Sequence, residues 1–240
     1  MGSTVPALKH EIAIEAVRSL RLFNQLDAPN LLAIAKVAEL LRFSAHTPLL
    51  MEGEQPELLY VVLEGSVVLF ARSDNREASM DVIRPTRALM PEAVVRNWPY
   101  LVSARTLEAT RLITIPAETV RNIFVRDPAF ARALACEIAE SYGEILDKFR
   151  NQKLRTSIER LAWWVVKTDM YCGGSGEFSI PYDKRTLAFL LGMTPESLSR
   201  SIRTLMNYGV TVRGREVIMT DTHSLVRLAK LFPIVGDPSR

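Results

Sequence analysis

Five polar side chains, Glu196, Ser197, Ser199, Arg200 and Arg203, fall within one short segment, spaced so that a helix would turn them away from its apolar side. Carboxylate, hydroxyl and guanidinium groups gathered on one face are the groups that meet the base edges and phosphates of DNA. The segment that must position them reads KRTLAFLLGMTPESLSRSIR, residues 184–203. Leu187, Ala188, Leu190 and Leu191 give a first helix its apolar face. Gly192 supplies a turn, Thr194 can cap a second helix, and Pro195 suits that helix's first position. Leu198, Ile202 and Leu205 recur at helical spacing and form the buried side of the second helix. Two helices, a tight turn and a polar outer face predict a helix-turn-helix. An ordinary helical hairpin with a solvated charged face shares this local pattern.

The residues that follow favour the first reading. Val210-Thr211-Val212, Arg213-Gly214-Arg215 and Glu216-Val217-Ile218-Met219 read as strand, turn and strand, the hairpin wing of a winged helix, with Arg213 and Arg215 placed for phosphates. Charge is divided in the same sense. Residues 1–150 hold 17 Lys+Arg against 19 Asp+Glu, and residues 151–240 hold 13 against 8, so the net charge of +3 belongs to the C-terminal part.

Other chemistries find little support. Cys136 and Cys172 are too few for a disulfide framework, a zinc knuckle or the four thiolates of an ordinary iron–sulfur cluster. No nucleophile-and-base constellation or phosphate loop is visible, so no enzyme is expected. Cys136 reads as core on a packed helix, whereas Cys172, in the Gly-rich stretch YCGGSG, is a candidate oxidisable switch. No apolar run approaches the ~20 residues that span a bilayer, and the first residues lack a signal peptide's pattern, which reads as a cytoplasmic chain.

Upstream, residues 11–24 and 29–41 have helical spacing, carried by Ile12, Ala16, Leu20 and Phe23, then by Leu32, Ala35 and Leu40. From about 42 to 116 the texture changes to short β-branched runs such as LLYVVLEGSVVLFAR, broken by turn residues, which predicts a β-barrel or β-roll. A short helix is expected over 117–124. A long one begins where Asp127 caps and Pro128 takes the first position, and it extends to Leu154. Ala131, Ile138 and Ile145 fall seven apart, as do Ala135, Tyr142 and Phe149, the two seams of a dimerising helix. Phe130, Leu134 and Leu146 form a neighbouring stripe free to pack on the β-roll. The polar stretch 150–156 separates this helix from another over 158–167, and a last helix over 224–231 closes the chain.

This order of elements resembles the CRP/FNR family of bacterial transcription regulators over nearly the whole chain. LLMEGEQPELLYVVLEGSVVLF is similar to the family's β-roll signature. YDKRTLAFLLGMTPESLSRSIRTLMNYGV followed by GREVIMTD is similar to its DNA-binding domain. The resemblance implies an α+β fold: a cyclic-nucleotide-binding-like β-roll over 1–126, a dimerisation helix over 127–154 and a winged helix-turn-helix over 155–240. It also implies a homodimer on double-stranded DNA, with RNA polymerase met through the 168–177 loop.

Departures from the family pattern concern the signal. Members that bind cyclic AMP use a Gly-Glu pair and, some ten residues on, an Arg-Ser or Arg-Thr pair on the cyclic phosphate. Here Glu92 remains, but Pro91 replaces the glycine and Trp98-Pro99 stand where the cation belongs. Ile145 and Leu146 stand where the long helix reads adenine. Glu92, Trp98, Pro99 and Leu146 therefore read as a degenerate effector pocket, and no cyclic AMP is expected, with Arg96 the one nearby cation. The cysteines that the oxygen-sensing branch uses for its cluster are missing. His10 and His46 are the residues available as haem ligands, although no metal or cofactor is expected. The effector is otherwise open, with haem, a small ligand or redox at Cys172 as alternatives.

At the DNA the resemblance places Glu196, Ser199 and Arg200 at the base-facing positions, in the E-x-x-S-R form of the FNR-like branch. Arg200 then pairs with guanine O6 and N7, Glu196 accepts from a cytosine N4 amino group, and Ser199 meets a thymine methyl or hydrogen-bonds. Lys184, Arg185, Ser197, Arg203, Arg213 and Arg215 become phosphate contacts. The expected site is a palindrome near TTGAT–N4–ATCAA.

Overall fold

The structure, a computed structural model, describes Glu15, residues 17–74 and residues 76–230. The chain divides into two compact units, Met1–Glu144 and Ile145–Arg240, and the division falls inside one long helix.

In the first unit, most of the helix expected over 11–24 lies outside the described residues. Val17 and Arg18 are helical, and the chain then turns over 19–25 with Leu20, Leu22 and Phe23 buried. Helix α1, Ala28–Val37, starts where the Asp27 carboxylate accepts the Asn30 amide at 2.7 Å. It stops short of the expected 41. Ala38 is extended and Glu39–Phe43 form strand β1, paired with β7 (Thr110–Pro116), so that Leu40 lies opposite Ile113. A short apolar run satisfies either period, and the pairing available along β7 decides it.

Strands β2 (Pro48–Leu50), β3 (Leu58–Glu64), β4 (Val67–Ser73), β5 (Arg76–Ile83) and β6 (Ser103–Thr106) complete the roll. Its antiparallel sheets run β1-β7-β3 and β2-β6-β4-β5. Alternation along β3 and β7 sorts the core. Leu59, Val61, Ile113 and Ile115 join one apolar cluster, and Val62 and Leu112, the chain neighbours of Val61 and Ile113, point the other way and join another. The outer cluster is completed by Leu31 and Ile34 of α1, Val120 and Ile123 of α3 (Ala117–Arg126), and Phe130 and Leu134 of α4 (Pro128–Leu154). Helix α2 (Pro91–Arg96) lies between β5 and β6 in the chain.

Helix α4 is fixed at its start by Asp127, whose carboxylate accepts the amides of Ala129 and Phe130 at 2.9 and 3.0 Å and the Asn30 side-chain amide at 3.1 Å. These bonds, the Phe130 amide foremost, hold the Asp127 carboxyl below its usual range. The Phe130 ring stacks on Phe23 with centroids 5.6 Å apart. One turn beyond Leu134, Glu137 is buried and accepts the Ala88 amide at 2.8 Å; burial pushes its carboxyl up. Arg87 adds bonds to Glu144 (2.6 Å) and Ser141 (2.5 Å), so charged groups as well as apolar ones hold the roll to this helix.

The second unit is built on α5 (Ser157–Tyr171), which begins with a capping box between Thr156 and Glu159 and runs past the expected Lys167. Buried Trp164 donates its indole N–H to the Tyr182 hydroxyl at 3.1 Å and meets the Phe178 ring edge-on. The small sheet runs β8-β10-β9, from Glu177–Ser179, Glu216–Met219 and Val210–Arg213. Leu187 of α6 (Lys184–Leu190) and Leu198 and Leu205 of α7 (Pro195–Leu205) are buried, as is Leu225 of α8 (Thr222–Ala229).

Candidate nucleic-acid interface

Local rules account for the helix-turn-helix. The Asp183 carboxylate accepts the Thr186 amide at 2.7 Å and opens α6; the Thr194 hydroxyl accepts the Ser197 amide at 3.2 Å and opens α7. Gly192 occupies the left-handed region at φ +61° between them, and the Met193 amide closes the turn on the Ala188 carbonyl at 2.9 Å. Ser201 joins Leu198 and Leu205 on the buried side of α7, and Ile202 is half-buried.

That packing leaves Glu196, Ser199, Arg200 and Arg203 exposed on α7, with Ser197 half-buried. The Glu196 carboxyl is held below its usual range, first by its own backbone amide, then by the Thr194 hydroxyl and Arg200. It stands ionised, an acceptor for an amino group. The Ser199 hydroxyl donates to the Pro195 carbonyl at 2.9 Å and keeps its lone pairs free to accept. Lys184 and Arg185 are exposed at the start of α6. Arg213 and Arg215 are exposed on either side of Gly214 at the tip of the β9–β10 hairpin, where Val217 pairs with Val212. Among the described residues, Lys184, Arg203, Arg213 and Arg215 are not ion-paired with a carboxylate. The arrangement presents a helix with one acidic and several cationic groups, flanked by a basic hairpin.

Two residues that mount this apparatus escape sequence reasoning. Arg160 donates to the Arg155 carbonyl at 2.8 Å and to the Gly192 carbonyl at 3.2 Å, and Arg155 donates to the Lys230 carbonyl at 2.6 Å. Arg155 and Asn151 are buried, so the stretch 150–156 is a structural knot as well as a polar spacer. The Gly192 carbonyl lies 32 residues from Arg160 and the Lys230 carbonyl 75 from Arg155, and no local pattern announces them.

On α4, Tyr142, Ile145, Leu146 and Phe149 are 63, 56, 48 and 56 % exposed and form one apolar stripe. Ala135 is also exposed, whereas Ala131 and Ile138 are half-buried, Ile138 against the first unit's core. Leu146 therefore belongs with the exposed seam. It is not a buried partner of Phe130 and Leu134. Cys136 is exposed too, contrary to the expected core position, because residues 134, 137 and 138 take the inward side of the helix.

At the expected effector position, Glu92 is exposed on α2, and Trp98 and Pro99 are exposed in the loop after it. The Arg96 guanidinium lies 4.5 Å over the Trp98 ring. His46 is exposed in a turn, and His10 lies outside the described residues. Among the described residues no group of three or more His, Cys, Asp or Glu could hold a metal, and no helix is long and apolar enough to cross a membrane. Cys172 is exposed at the end of α5.

A β-roll, a long helix and a winged helix-turn-helix follow one another along the chain. Residues 40–127 match the family described as cyclic nucleotide-binding domain, and residues 159–228 match the Crp-like helix-turn-helix domain. The chain belongs to the CRP/FNR family of DNA-binding transcription regulators. It is 19% identical over 215 residues to the CRP-like cAMP-activated global transcriptional regulator of Mycobacterium tuberculosis, covering 87% of this chain and 96% of that one. It is 23% identical over 186 residues to the transcriptional activator protein Anr of Pseudomonas protegens, covering 75% and 76%. Among solved structures it is similar to FixK2 from Bradyrhizobium japonicum, with a TM-score of 0.72 at 21% identity over 80% of this chain and 97% of that one.

Proposed function

We propose that this regulator binds DNA as a homodimer at a palindrome near TTGAT–N4–ATCAA and does so without cyclic AMP. The observation that carries the reading is the outer face of α7, where Glu196, Ser199 and Arg200 are exposed together behind Pro195. Arg200 takes guanine, Glu196 takes the amino group of cytosine, and Ser199 takes thymine by contact or hydrogen bond. Lys184, Arg185, Ser197, Arg203, Arg213 and Arg215 hold the phosphates and set the register. Proline at position 195 removes one cationic contact per half-site relative to relatives with arginine there.

The exposed seam of α4, centred on Tyr142, Ile145 and Phe149 and extended by Ala131, Ala135 and Ile138, supplies the two-fold contact; a palindrome needs that symmetry. RNA polymerase is the second macromolecular partner, met through the exposed end of α5 and the loop after it, residues 170–177. Independence from cyclic AMP is supported by Trp98 and Pro99, which offer no cation for a cyclic phosphate, and by Arg96, which is stacked on Trp98. The cAMP-activated activity in the name of the Mycobacterium tuberculosis relative therefore stays with that relative.

Selection of binding sites from random DNA by the full chain, with and without cyclic AMP, tests the reading. TTGAT half-sites with equal enrichment in both arms are expected. Recovery of TGTGA half-sites, or enrichment only with the nucleotide, overturns it.

A further inference from the structure

Helix α4 meets the outer apolar cluster of the first unit through Phe130, Ala133, Leu134 and Ile138, and no later residue of the helix belongs to that cluster. The exposed apolar seam is carried mostly beyond this point, by Tyr142, Ile145 and Phe149. A helix without a packed face is marginally stable in water, so the turns that begin the seam need another hold.

Arg87 supplies it. Its guanidinium forks, with one nitrogen donating to the Glu144 carboxylate at 2.6 Å and the other to the Ser141 hydroxyl at 2.5 Å. The next amide along, that of Ala88, donates to buried Glu137 at 2.8 Å. Glu137, Ser141 and Glu144 follow at steps of four and three and share one face of the helix. The backbone that carries the fork is itself fixed. The Arg87 carbonyl accepts the Val62 amide at 3.0 Å, and Ala88 bridges to Val61 on β3. Among the described residues the other ion pair on this stretch, Glu140 with Arg21, is exposed on both sides, and such pairs contribute little.

At about 100° per residue the seam lies roughly 110° around the helix from the strapped face. A second copy can therefore pack on the seam while the strap stays closed. We propose that Arg87 is a positioning residue of the dimer. By strapping Ser141 and Glu144 to the roll, it orders the turns bearing Tyr142 and Ile145 before the partner arrives. A seam already ordered loses less freedom on association. The inference rests on the homodimer of the proposed function.

Sedimentation equilibrium of the full chain, parent against Arg87→Ala, tests it. The dissociation constant of the dimer is expected to rise about tenfold or more, the scale of a lost charged hydrogen bond. Hydrogen exchange, run dilute enough that both chains are monomers, is expected to quicken at amides 139–146 and to stay unchanged in β3 and β7. Glu144→Ala should weaken the dimer too, and adding it to Arg87→Ala should weaken it little further, since both act through one bond. If Arg87→Ala fails to fold, Arg87→Lys, which keeps the charge but cannot fork, is expected to weaken the dimer severalfold. A dimeric parent whose dissociation constant is unchanged in either folded variant overturns the strap alone. Exchange that quickens equally across the roll, or additive losses in the double variant, also overturns it. A parent that stays monomeric overturns the dimer reading itself, and the role of the strap with it.

Discussion

Replacing Gly192 by alanine strikes the turn that sets the recognition helix, and the structure separates the cost into two parts. The backbone there has φ +61°, and an L-residue in the left-handed region costs about 1–2 kcal/mol. A Cβ added at this position meets the Gln152 side chain, with Cδ and Nε2 at 3.2 Å and Cγ at 3.3 Å. That side chain is flexible and exposed, so it shifts at a cost of about 0.5 kcal/mol, the scale of a distorted rotamer. The expected loss is about 2 kcal/mol, roughly three-quarters of it conformational. Urea unfolding followed by tryptophan fluorescence reads it, because Trp163 and buried Trp164 both lie in the second unit, while Trp98 is already 56% exposed. Gly192→Asn should recover about 1 kcal/mol of the loss, since asparagine tolerates the left-handed region better. In a Gln152→Ala background, Gly192→Ala should cost only the conformational part. Gly192→Ala unfolding at the same urea concentration as the parent would refute the account of the turn. An undiminished cost without the Gln152 side chain would refute the contact.

Glu137→Gln keeps an acceptor for the Ala88 amide and removes a buried charge. Because the folded carboxyl is raised, the native state holds a proton that the unfolded chain has lost. The parent should therefore gain stability as pH falls from neutral toward about 4.3, the ordinary glutamate value. The variant should be the more stable at neutral pH and lose that advantage toward the acid end, a trend checked by chemical unfolding across pH. Arg200→Ala should cost ~1–3 kcal/mol and relax one position of the DNA site. Arg213→Ala should weaken all sequences alike and reduce the salt slope of binding by about 1 per contact, both read by fluorescence anisotropy. Tyr142→Glu/Phe149→Glu should shift sedimentation from dimer to monomer and remove the concentration dependence of the melting temperature, with the protomer still folded by circular dichroism, since both residues are exposed in the protomer.

Elements governed by short-range chemistry are legible in the sequence. Asp127, Asp183 and Thr194 cap the helices they precede, and Pro128 and Pro195 occupy first turns, because a cap needs only residues within one turn of it. The wing is equally readable, since Gly214 and the alternation around it are local. Leu40 and Leu41 resist such reading. Their pattern fits the end of a helix, and only the partner strand some seventy residues away makes them β. The same holds for Glu137, whose burial depends on Ala88, and for Cys136, whose exposure depends on which side of α4 the roll occupies. At the candidate interface the side chains that face outward can be named from spacing. The arginines that mount them cannot, because Arg155 and Arg160 bind main-chain carbonyls that any sequence would supply.

That last feature bears on how such a protein can change over generations. The mount grips Gly192 and Lys230 by their peptide oxygens, so it is indifferent to the letters written on the face of the recognition helix. Under the proposed function, substitutions at positions 196, 199 and 200 would therefore rewrite the preferred operator while the frame that presents them stays as it is. A lineage that duplicates this gene can acquire new targets through a few solvent-facing replacements, without re-evolving the joint behind them.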